Sequence, residues 1–348
     1  MSGSTYRTTP RRRTGVPAIR YGLAPCRFLW GRAVTVAGVL ALAASVTAVP
    51  AGLASARPAG VGRGGPVARA AGIARAGKRA APGGVVPVRV PVLDWPKVGQ
   101  AAVVVRGVGI VGRSPAERPV PIASLTKMMT ALVLLHDHPL VPGESGPRFR
   151  ITAADVAMYE TEAVAGDSTV EVVAGEILNE YQFLEALLVP SGDNFADMIA
   201  TWDAGSISRF VGKMNTMARS LGLTATHYAD ASGLNPASKS TAADQARLAA
   251  DLMGDAVVRG IVRRPDLPFP VVRRIWNANP ALGIDGIIGV KSGWTFEASG
   301  CLATAAFRTV RHRGVLVIVA ALGQPGGLWN AAAVDEALLE ATTRALIS

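Results

Sequence analysis

The sequence is poor in the residues on which several kinds of enzyme site depend. It contains 2 cysteines and 4 histidines among 348 residues. Cys26 precedes the first apolar segment and would leave with a cleaved leader, so Cys301, in an apolar run, is expected to be a buried thiol without a disulfide partner. His136 and His138 flank an aspartate but lack the further ligands of a metal site. With no G-x-S-x-G segment either, a Ser-His-Asp triad has little support.

Acidic residues are missing from one end of the chain. The first 85 residues hold 13 of the 36 lysines and arginines and no aspartate or glutamate, which leaves 23 basic and 25 acidic groups in the rest. The net charge of +11 therefore belongs to the N-terminal region. Because the remainder carries no basic stripe, we expect no nucleic-acid partner.

That N-terminal region has the organisation of an export signal. Residues 1–32 are rich in arginine, residues 33–49 are uncharged and mostly apolar, and Ala54-Ser55-Ala56 offers small residues for cleavage. We interpret 1–56 as a signal peptide, with an uncleaved N-terminal membrane anchor as the alternative. Residues 57–93, rich in Ala, Gly, Pro and Arg, are predicted to be a disordered linker. The rest, 94–348, is then an extracytoplasmic domain, secreted or anchored to the outer face of the cytoplasmic membrane.

The pattern of residues 94–348 changes from strand to helix and back to strand. Short β-branched or apolar runs predict strands at 101–105, 108–111, 287–293, 301–307 and 314–322. Apolar periodicity predicts helices at 124–136, 180–189, 195–203, 206–221, 240–253 and 332–346. Asp193 or Asn194 is expected to cap the third of these helices. The simplest closure is an α+β domain whose terminal strands share one five-stranded antiparallel sheet, flanked by helices.

Ser124 and Lys127 stand at the start of the most apolar of these helices. Residues three apart lie on one helical face, with Cβ atoms roughly 5–6 Å apart. A partly desolvated lysine at that distance can take the proton of a serine hydroxyl. The sequence therefore predicts a nucleophile, Ser124, and its base, Lys127. An N-cap serine and a surface lysine are the alternative, but apolar neighbours are a poor setting for an idle lysine.

Two further segments could complete an acyl-transfer site. Ser191-Gly192-Asp193 lies between two predicted helices, where a serine can pass a proton to a leaving amine, although a capping turn would look the same. Lys291-Ser292-Gly293 ends a predicted strand. Such a strand can bind an extended peptide, with the lysine and hydroxyl holding a carboxylate and the glycine allowing close approach. An ordinary strand-ending turn is the alternative.

Together these segments resemble the motifs S-x-x-K, S-x-N and K-[ST]-G of the penicillin-recognising serine enzymes. Within that group the chain is similar to the D-alanyl-D-alanine carboxypeptidases, the low-molecular-mass penicillin-binding proteins. The matching segments are Pro121–Thr130, Leu188–Asn194, Asp230–Leu234, Ser240–Asp244 and Gly289–Thr295. The resemblance implies a β-lactamase/transpeptidase-like fold, with a mostly helical subdomain that carries the active-site helix.

The resemblance also implies roles for individual residues. Ser124 would form the acyl-enzyme, Lys127 would be the base, Ser191 would relay a proton, and Lys291 would bind the terminal carboxylate. Ser292, Gly293 and Asp193 are the other candidate substrate-binding residues. The implied substrate is a peptidoglycan stem peptide ending in D-Ala-D-Ala, and β-lactam antibiotics would acylate Ser124. This chemistry requires no metal or cofactor.

One position departs from the family pattern. The second motif has Asp193 where the family usually has asparagine, and Asn194 follows. An ionised aspartate cannot donate a hydrogen bond, so either Asp193 makes a different contact or Asn194 takes the role. Two other functions remain open: a β-lactamase and an inactive peptidoglycan-binding module. Class A β-lactamases have an E-x-x-L-N segment after the second motif, whereas Glu176-Ile177-Leu178-Asn179 is one residue shorter and precedes Ser191.

Overall fold

The computed structural model describes residues 92–310 and 312–347. The predicted leader, 1–56, and nearly all of the predicted linker, 57–93, lie outside these residues. The strands are β1 Gln100–Val105, β2 Gly109–Arg113, β3 Val120–Pro121, β4 Arg148–Arg150, β5 Ile177–Asn179, β6 Lys239–Ser240, β7 Asp266–Phe269, β8 Arg273–Trp276, β9 Ile287–Thr295, β10 Ser299–Val310 and β11 Arg313–Gln324. The helices are α1 Thr126–Asp137, α2 Ala153–Ala165, α3 Glu180–Leu188, α4 Asp193–Ala204, α5 Ile207–Ser220, α6 Ala242–Leu252, α7 Ala256–Val262 and α8 Leu328–Ile347.

Five strands form one antiparallel sheet in the order β2-β1-β11-β10-β9. Val103 of β1 faces Val319 of β11, so strands from opposite ends of the described chain pair at the middle of the sheet. The predicted α+β fold with a five-stranded antiparallel sheet is confirmed. Strand β9 is at the edge, which leaves one of its sides free of a strand partner.

Alternation along the strands gives the sheet two buried faces. Ala101, Val103 and Val105 pack with residues of α8, whereas Ala102 and Val104 belong to the larger core. That core contains residues of α1, α3, α4 and α6. Helix α1 lies at its centre, because nine of its twelve residues are buried. Among the helices of the described residues, none is both long enough and apolar enough to cross a bilayer.

Several small elements were not predicted from the sequence. They are the short helix α7 and the two-stranded pairs β3–β6, β4–β5 and β7–β8. Residues 150–178 were expected to contain helix and loop without bounds, and the helix is α2, which begins with a capping box between Thr152 and Asp155. The strand pair β4–β5 leads directly into α3, where Asn179 caps the helix. The segment containing Glu176 therefore belongs to a structural turn, and the Glu176 carboxylate accepts a hydrogen bond from Val173 N at 3.3 Å.

Candidate active site

Ser124 lies in a 3₁₀ turn, Ala123–Leu125, immediately before α1. Ala123 has a φ of +47°, a left-handed conformation that non-glycine residues seldom adopt. A second loop packs tightly on this turn, since a Cβ atom on Gly233 would lie 1.9 Å from the Ala123 carbonyl oxygen. Gly233 itself has a φ of +96°. The turn that presents Ser124 is thus held by a loop remote in sequence that accepts only glycine at this point.

Lys127 is fully buried, and its ammonium group has three hydrogen-bond partners. Its Nζ lies 2.9 Å from Ser124 Oγ, 2.5 Å from Asp193 Oδ1 and 2.9 Å from the Ser232 carbonyl oxygen. A lysine ammonium has three N–H donors, so each can be matched to one acceptor. The structure brings Ser124 and Lys127 together, and Asp193 of the second motif joins them.

Asp193 and Asn194 do not cap α4, so that prediction is wrong. The N-cap residue is Gly192, which has no side chain to form a cap bond. The Asp193 carboxylate instead accepts hydrogen bonds from Lys127 and from Ser168 N, the latter at 2.9 Å. Asn194 binds both the N–H and the carbonyl of Val170, at 3.1 and 2.9 Å. Asp193, not Asn194, therefore faces the serine–lysine pair.

Ser191 is buried, with a left-handed φ of +73°. Its hydroxyl oxygen has no hydrogen-bond partner among the described residues. A buried hydroxyl without a partner is unusual in a folded protein. The group is therefore available to a substrate atom, whereas its predicted proton-relay role stays a prediction.

The third motif lies on the edge strand β9. Lys291 and Gly293 pair with Ala303 and Cys301, whose side chains belong to the larger core, so they share the face on which Ser124 lies. A Cβ atom on Gly293 would lie 2.7 Å from Ser124 N. The edge of β9 thus passes directly against the nucleophile's backbone, and Gly293 makes this approach possible.

Ser292 lies on the opposite face of β9 from Lys291 and Gly293. It pairs with Leu302, whose side chain packs on the α8 side of the sheet. Its hydroxyl donates a hydrogen bond to the Ala278 carbonyl at 2.9 Å. To hold a substrate carboxylate, as the sequence predicts, this hydroxyl would have to exchange its present partner.

Lys291 is buried, and no carboxylate of residues 92–310 or 312–347 is hydrogen-bonded to it; its Nζ donates to the backbone carbonyl of Ser292 at 2.9 Å. Burial lowers the pKa of Lys291 well below its usual value, the nearby charge of Lys127 lowers it further, and Asp193 opposes both effects. The site thus contains two buried lysines, and within the described part of the chain Lys127 is the one that forms an ion pair with a carboxylate. The position of Lys291 suits a ligand that brings its own negative charge.

Two acidic side chains near Lys127 were not predicted from the sequence. Burial and the charges of Asp230 and Asp193 together raise the pKa of Asp197 to about 6, against the opposing charge of Lys127. Burial, with the charges of Asp197 and Asp193, raises the pKa of Glu162 to about 7, and Lys127 opposes this increase as well. One side of the site is therefore acidic.

The loop Asp230–Leu234 also contributes more than the sequence showed. The segment supports the family resemblance, but no role was predicted for it. The Asp230 carboxylate accepts hydrogen bonds from Gly233 N, Asn235 N and the Ser238 hydroxyl. It thereby fixes the loop whose Ser232 carbonyl binds Lys127.

Known proteins resemble this chain in sequence and in fold. DacF of Bacillus subtilis, a D-alanyl-D-alanine carboxypeptidase, is 30% identical over 219 residues, covering 61% of this chain and 54% of DacF. DacB2 of Mycobacterium tuberculosis, of the same description, is 32% identical, covering 61% of this chain and 72% of DacB2. The crystal structure of the Streptomyces K15 DD-transpeptidase superposes with a TM-score of 0.60 at 25% identity, covering 73% of this chain and 98% of that one.

The matched part of the chain is the folded domain that carries the site. It spans only about half the length of some curated relatives, such as the 54% of DacF. The profile of the family described as D-alanyl-D-alanine carboxypeptidase matches residues 104–323, which include all three motifs. The resemblance predicted from the sequence is confirmed: the chain belongs to the D-alanyl-D-alanine carboxypeptidase family.

Proposed function

We propose that the chain is a serine-type D-alanyl-D-alanine carboxypeptidase that removes the terminal D-Ala from peptidoglycan stem peptides during cell-wall biogenesis. The observation that carries the proposal is the 2.9 Å contact between Lys127 Nζ and Ser124 Oγ. This distance is within the reach required of a base and its nucleophile. The buried position of Lys291 on the neighbouring strand edge supports a substrate with a free carboxylate.

The reaction follows from these positions. With Lys127 as the neutral amine, Ser124 Oγ attacks the carbonyl carbon of the penultimate residue and gives its proton to Lys127 Nζ. The bond to the terminal D-Ala nitrogen then breaks, and Ser191 relays the proton from Lys127 to that nitrogen, so that D-Ala leaves. Water then attacks the ester carbon, and its proton returns to Ser124 Oγ through Lys127 as the shortened peptide leaves. Lys291 holds the terminal carboxylate, and Gly293 allows the peptide to lie along β9.

Mass spectrometry of the protein incubated with a stem pentapeptide tests this proposal. We expect loss of one alanine with the wild type and with Ser220→Ala, an exposed-serine control, and no loss with Ser124→Ala. No loss with any of the three proteins would refute the assignment. The K15 relative is described as a DD-transpeptidase, so a parallel reaction with a free amino acid shows whether an amine replaces water as acceptor.

Penicillin distinguishes the two alternative functions. A long-lived covalent adduct on Ser124 is expected of the carboxypeptidase, whereas rapid penicillin hydrolysis would indicate a β-lactamase. Absence of both would favour an inactive binding module. Glu176, the residue nearest in pattern to a β-lactamase base, accepts its hydrogen bond from Val173, which favours the carboxypeptidase.

We also propose that the enzyme works outside the cytoplasmic membrane. This rests on the export pattern of residues 1–56, followed by a linker, 57–93, and the catalytic domain, 94–348. The mass of the protein recovered from culture medium and from membranes tests the proposal. A secreted form lacking about the first 56 residues supports a cleaved signal, a full-length membrane form supports an anchor, and a full-length cytoplasmic protein would contradict both.

A further inference from the structure

The carboxylate of Asp193 accepts hydrogen bonds from two donors, one at each of its oxygens. Its Oδ1 accepts from Lys127 Nζ at 2.5 Å, and its Oδ2 accepts from Ser168 N at 2.9 Å. The side chains of Asp193 and Lys127 are 2% and 0% exposed, so water does not compete for this contact. Both oxygens of the carboxylate are thus committed to donors.

An asparagine, the usual family residue at this position, could not satisfy both donors. Its side chain has one acceptor oxygen and one donor NH₂ group. With the oxygen towards Ser168 N, the NH₂ group would point at the Lys127 ammonium. With the oxygen towards Lys127, it would point at the Ser168 N–H. Either orientation leaves a buried donor without an acceptor, which is costly.

We propose that Asp193 is a positioning residue that holds Lys127 against Ser124, and that this requires its negative charge and not only its shape. The inference rests on the proposed function, in which Lys127 is the base for Ser124. Among the described residues, Asp193 is the carboxylate that is hydrogen-bonded to either buried lysine of the site. Aspartate in place of the usual asparagine therefore suits this site, because the backbone N–H of Ser168 needs a second acceptor oxygen.

Substitution of Asn194 is a control for losing contacts with the loop at residues 168–170 without losing the contact with Lys127. Asp193 and Asn194 both bind the loop at residues 168–170, but only Asp193 also contacts Lys127. Asn194→Ala removes two loop bonds and leaves the contact between Asp193 and Lys127 in place. A purely structural role would make Asp193→Asn and Asn194→Ala behave alike.

The experiment is the kinetics of acylation by a fluorescent penicillin. For Asp193→Asn we expect the acylation rate constant to fall about 10- to 100-fold, the range that loss of a hydrogen bond to a charged group implies. The dissociation constant of the non-covalent complex should rise less than the rate constant falls, because Lys291 still holds the carboxylate although loss of the Asp193 charge lowers the pKa of Lys291 further. Asn194→Ala should lower the melting temperature yet keep most of the rate.

The outcomes separate the possible roles. If Asp193→Asn reacts as fast as the wild type, or if both variants slow equally, the positioning role is refuted. If Asp193→Asn does not fold, Asp193→Ala, which introduces no donor, replaces it with the same expectations. If the wild type itself is not acylated, the proposed function fails, and the pair is then tested by stability alone.

A double-mutant cycle provides that test. Lys127→Met leaves a buried carboxylate unpaired, so adding Asp193→Asn should raise the melting temperature in that background. The same substitution should lower it in the wild type. Additive changes would show that the two side chains are not coupled and would refute the inference.

Discussion

At the scale of the residue, the site is defined by two buried lysines in different electrostatic situations. Lys127 has a carboxylate at 2.5 Å, whereas the hydrogen-bond partner of Lys291 is a backbone carbonyl. A buried ammonium without a counter-charge is unfavourable. A substrate carboxylate supplies that counter-charge, so binding and protonation of Lys291 should be coupled.

The first prediction is a pH dependence of penicillin binding that comes from Lys291. Because burial and Lys127 lower the pKa of Lys291 in the free protein, the side chain must take up a proton to bind a carboxylate once the pH exceeds that lowered value. The dissociation constant of the non-covalent penicillin complex should therefore rise with pH, measured between about pH 6 and 10. Below the lowered pKa no dependence on Lys291 is expected.

Lys291→Arg is the matched variant, because arginine stays charged over this whole range. We expect its binding to be much less dependent on pH, while Asp197 and Glu162 titrate as in the wild type. Equal pH profiles for wild type and Lys291→Arg would show that the titration belongs to another group.

The residues predicted from sequence are those that contribute side-chain chemistry within short motifs. Ser124, Lys127, Ser191 and Lys291 belong to this class. Ser168 and Ser232 were missed because they contribute a backbone N–H and a backbone carbonyl, which any residue type could supply. The contact of Asp193 with Ser168 could not be predicted either, because these two residues are 25 positions apart in sequence and only folding brings them together.

At the scale of the element, the loop containing Gly233 controls the turn that presents Ser124. The second prediction is that Gly233→Ala both destabilises the protein and abolishes penicillin labelling. The added Cβ atom would meet the Ala123 carbonyl carbon and oxygen at 2.4 and 1.9 Å. Denaturant unfolding should show a loss of about 3 kcal/mol or more, from backbone strain together with overpacking.

Gly222 offers a control for the backbone strain alone. It has a φ of +70°, but a Cβ atom there would meet nothing within 4 Å. Gly222→Ala should therefore cost only about 1–2 kcal/mol and leave labelling intact. If the two variants lose equal stability and both keep labelling, the contact between Gly233 and Ala123 has no role in placing Ser124.

Strands and helices were predicted well where the apolar pattern was long and the residue types favoured the same secondary structure. The strands of the central sheet and helices α3, α5 and α6 lie within a few residues of their expected positions. The pair β7–β8 was missed because Pro268 and Pro270 argue against a strand. Helix α7 was missed because its 7 residues are too few for a clear period.

At the scale of the whole molecule, burial raises the pKa values of several carboxyl groups. Burial raises the pKa of Glu180 to about 7. Glu180 is only 1% exposed, and neither carboxylate oxygen has a partner among the described residues. Burial also raises the pKa of Glu185 to about 7, against the opposing charge of Arg264. Burial likewise raises the pKa of Asp335 well above its usual value.

The third prediction is that these groups make the protein less stable as the pH rises from about 4.5 to 7. In this range the native state holds protons that the unfolded chain has released, so unfolding releases protons and becomes easier at higher pH. Glu180→Gln, which never ionises, should gain melting temperature over the wild type at pH 8 by about 2 °C or more, and much less at pH 5.

Calorimetry at the two pH values measures this difference. Glu171→Gln, at an exposed position, serves as the control and should match the wild type at both. The assignment to Glu180 is wrong if its variant and the wild type change in parallel between pH 5 and pH 8.

The pairing of β1 with β11 has a consequence for the order of events during synthesis. Ser124 and Lys127 leave the ribosome early, but β1 finds its partner only after Gln324 has emerged, and β9 joins the sheet through β10 and β11. Contacts so distant in sequence form late, because long loops must close first. The nascent chain therefore carries its nucleophile for some 200 residues without the strand edge that completes the site. The active site and the central sheet are therefore incomplete until synthesis of the domain is nearly finished.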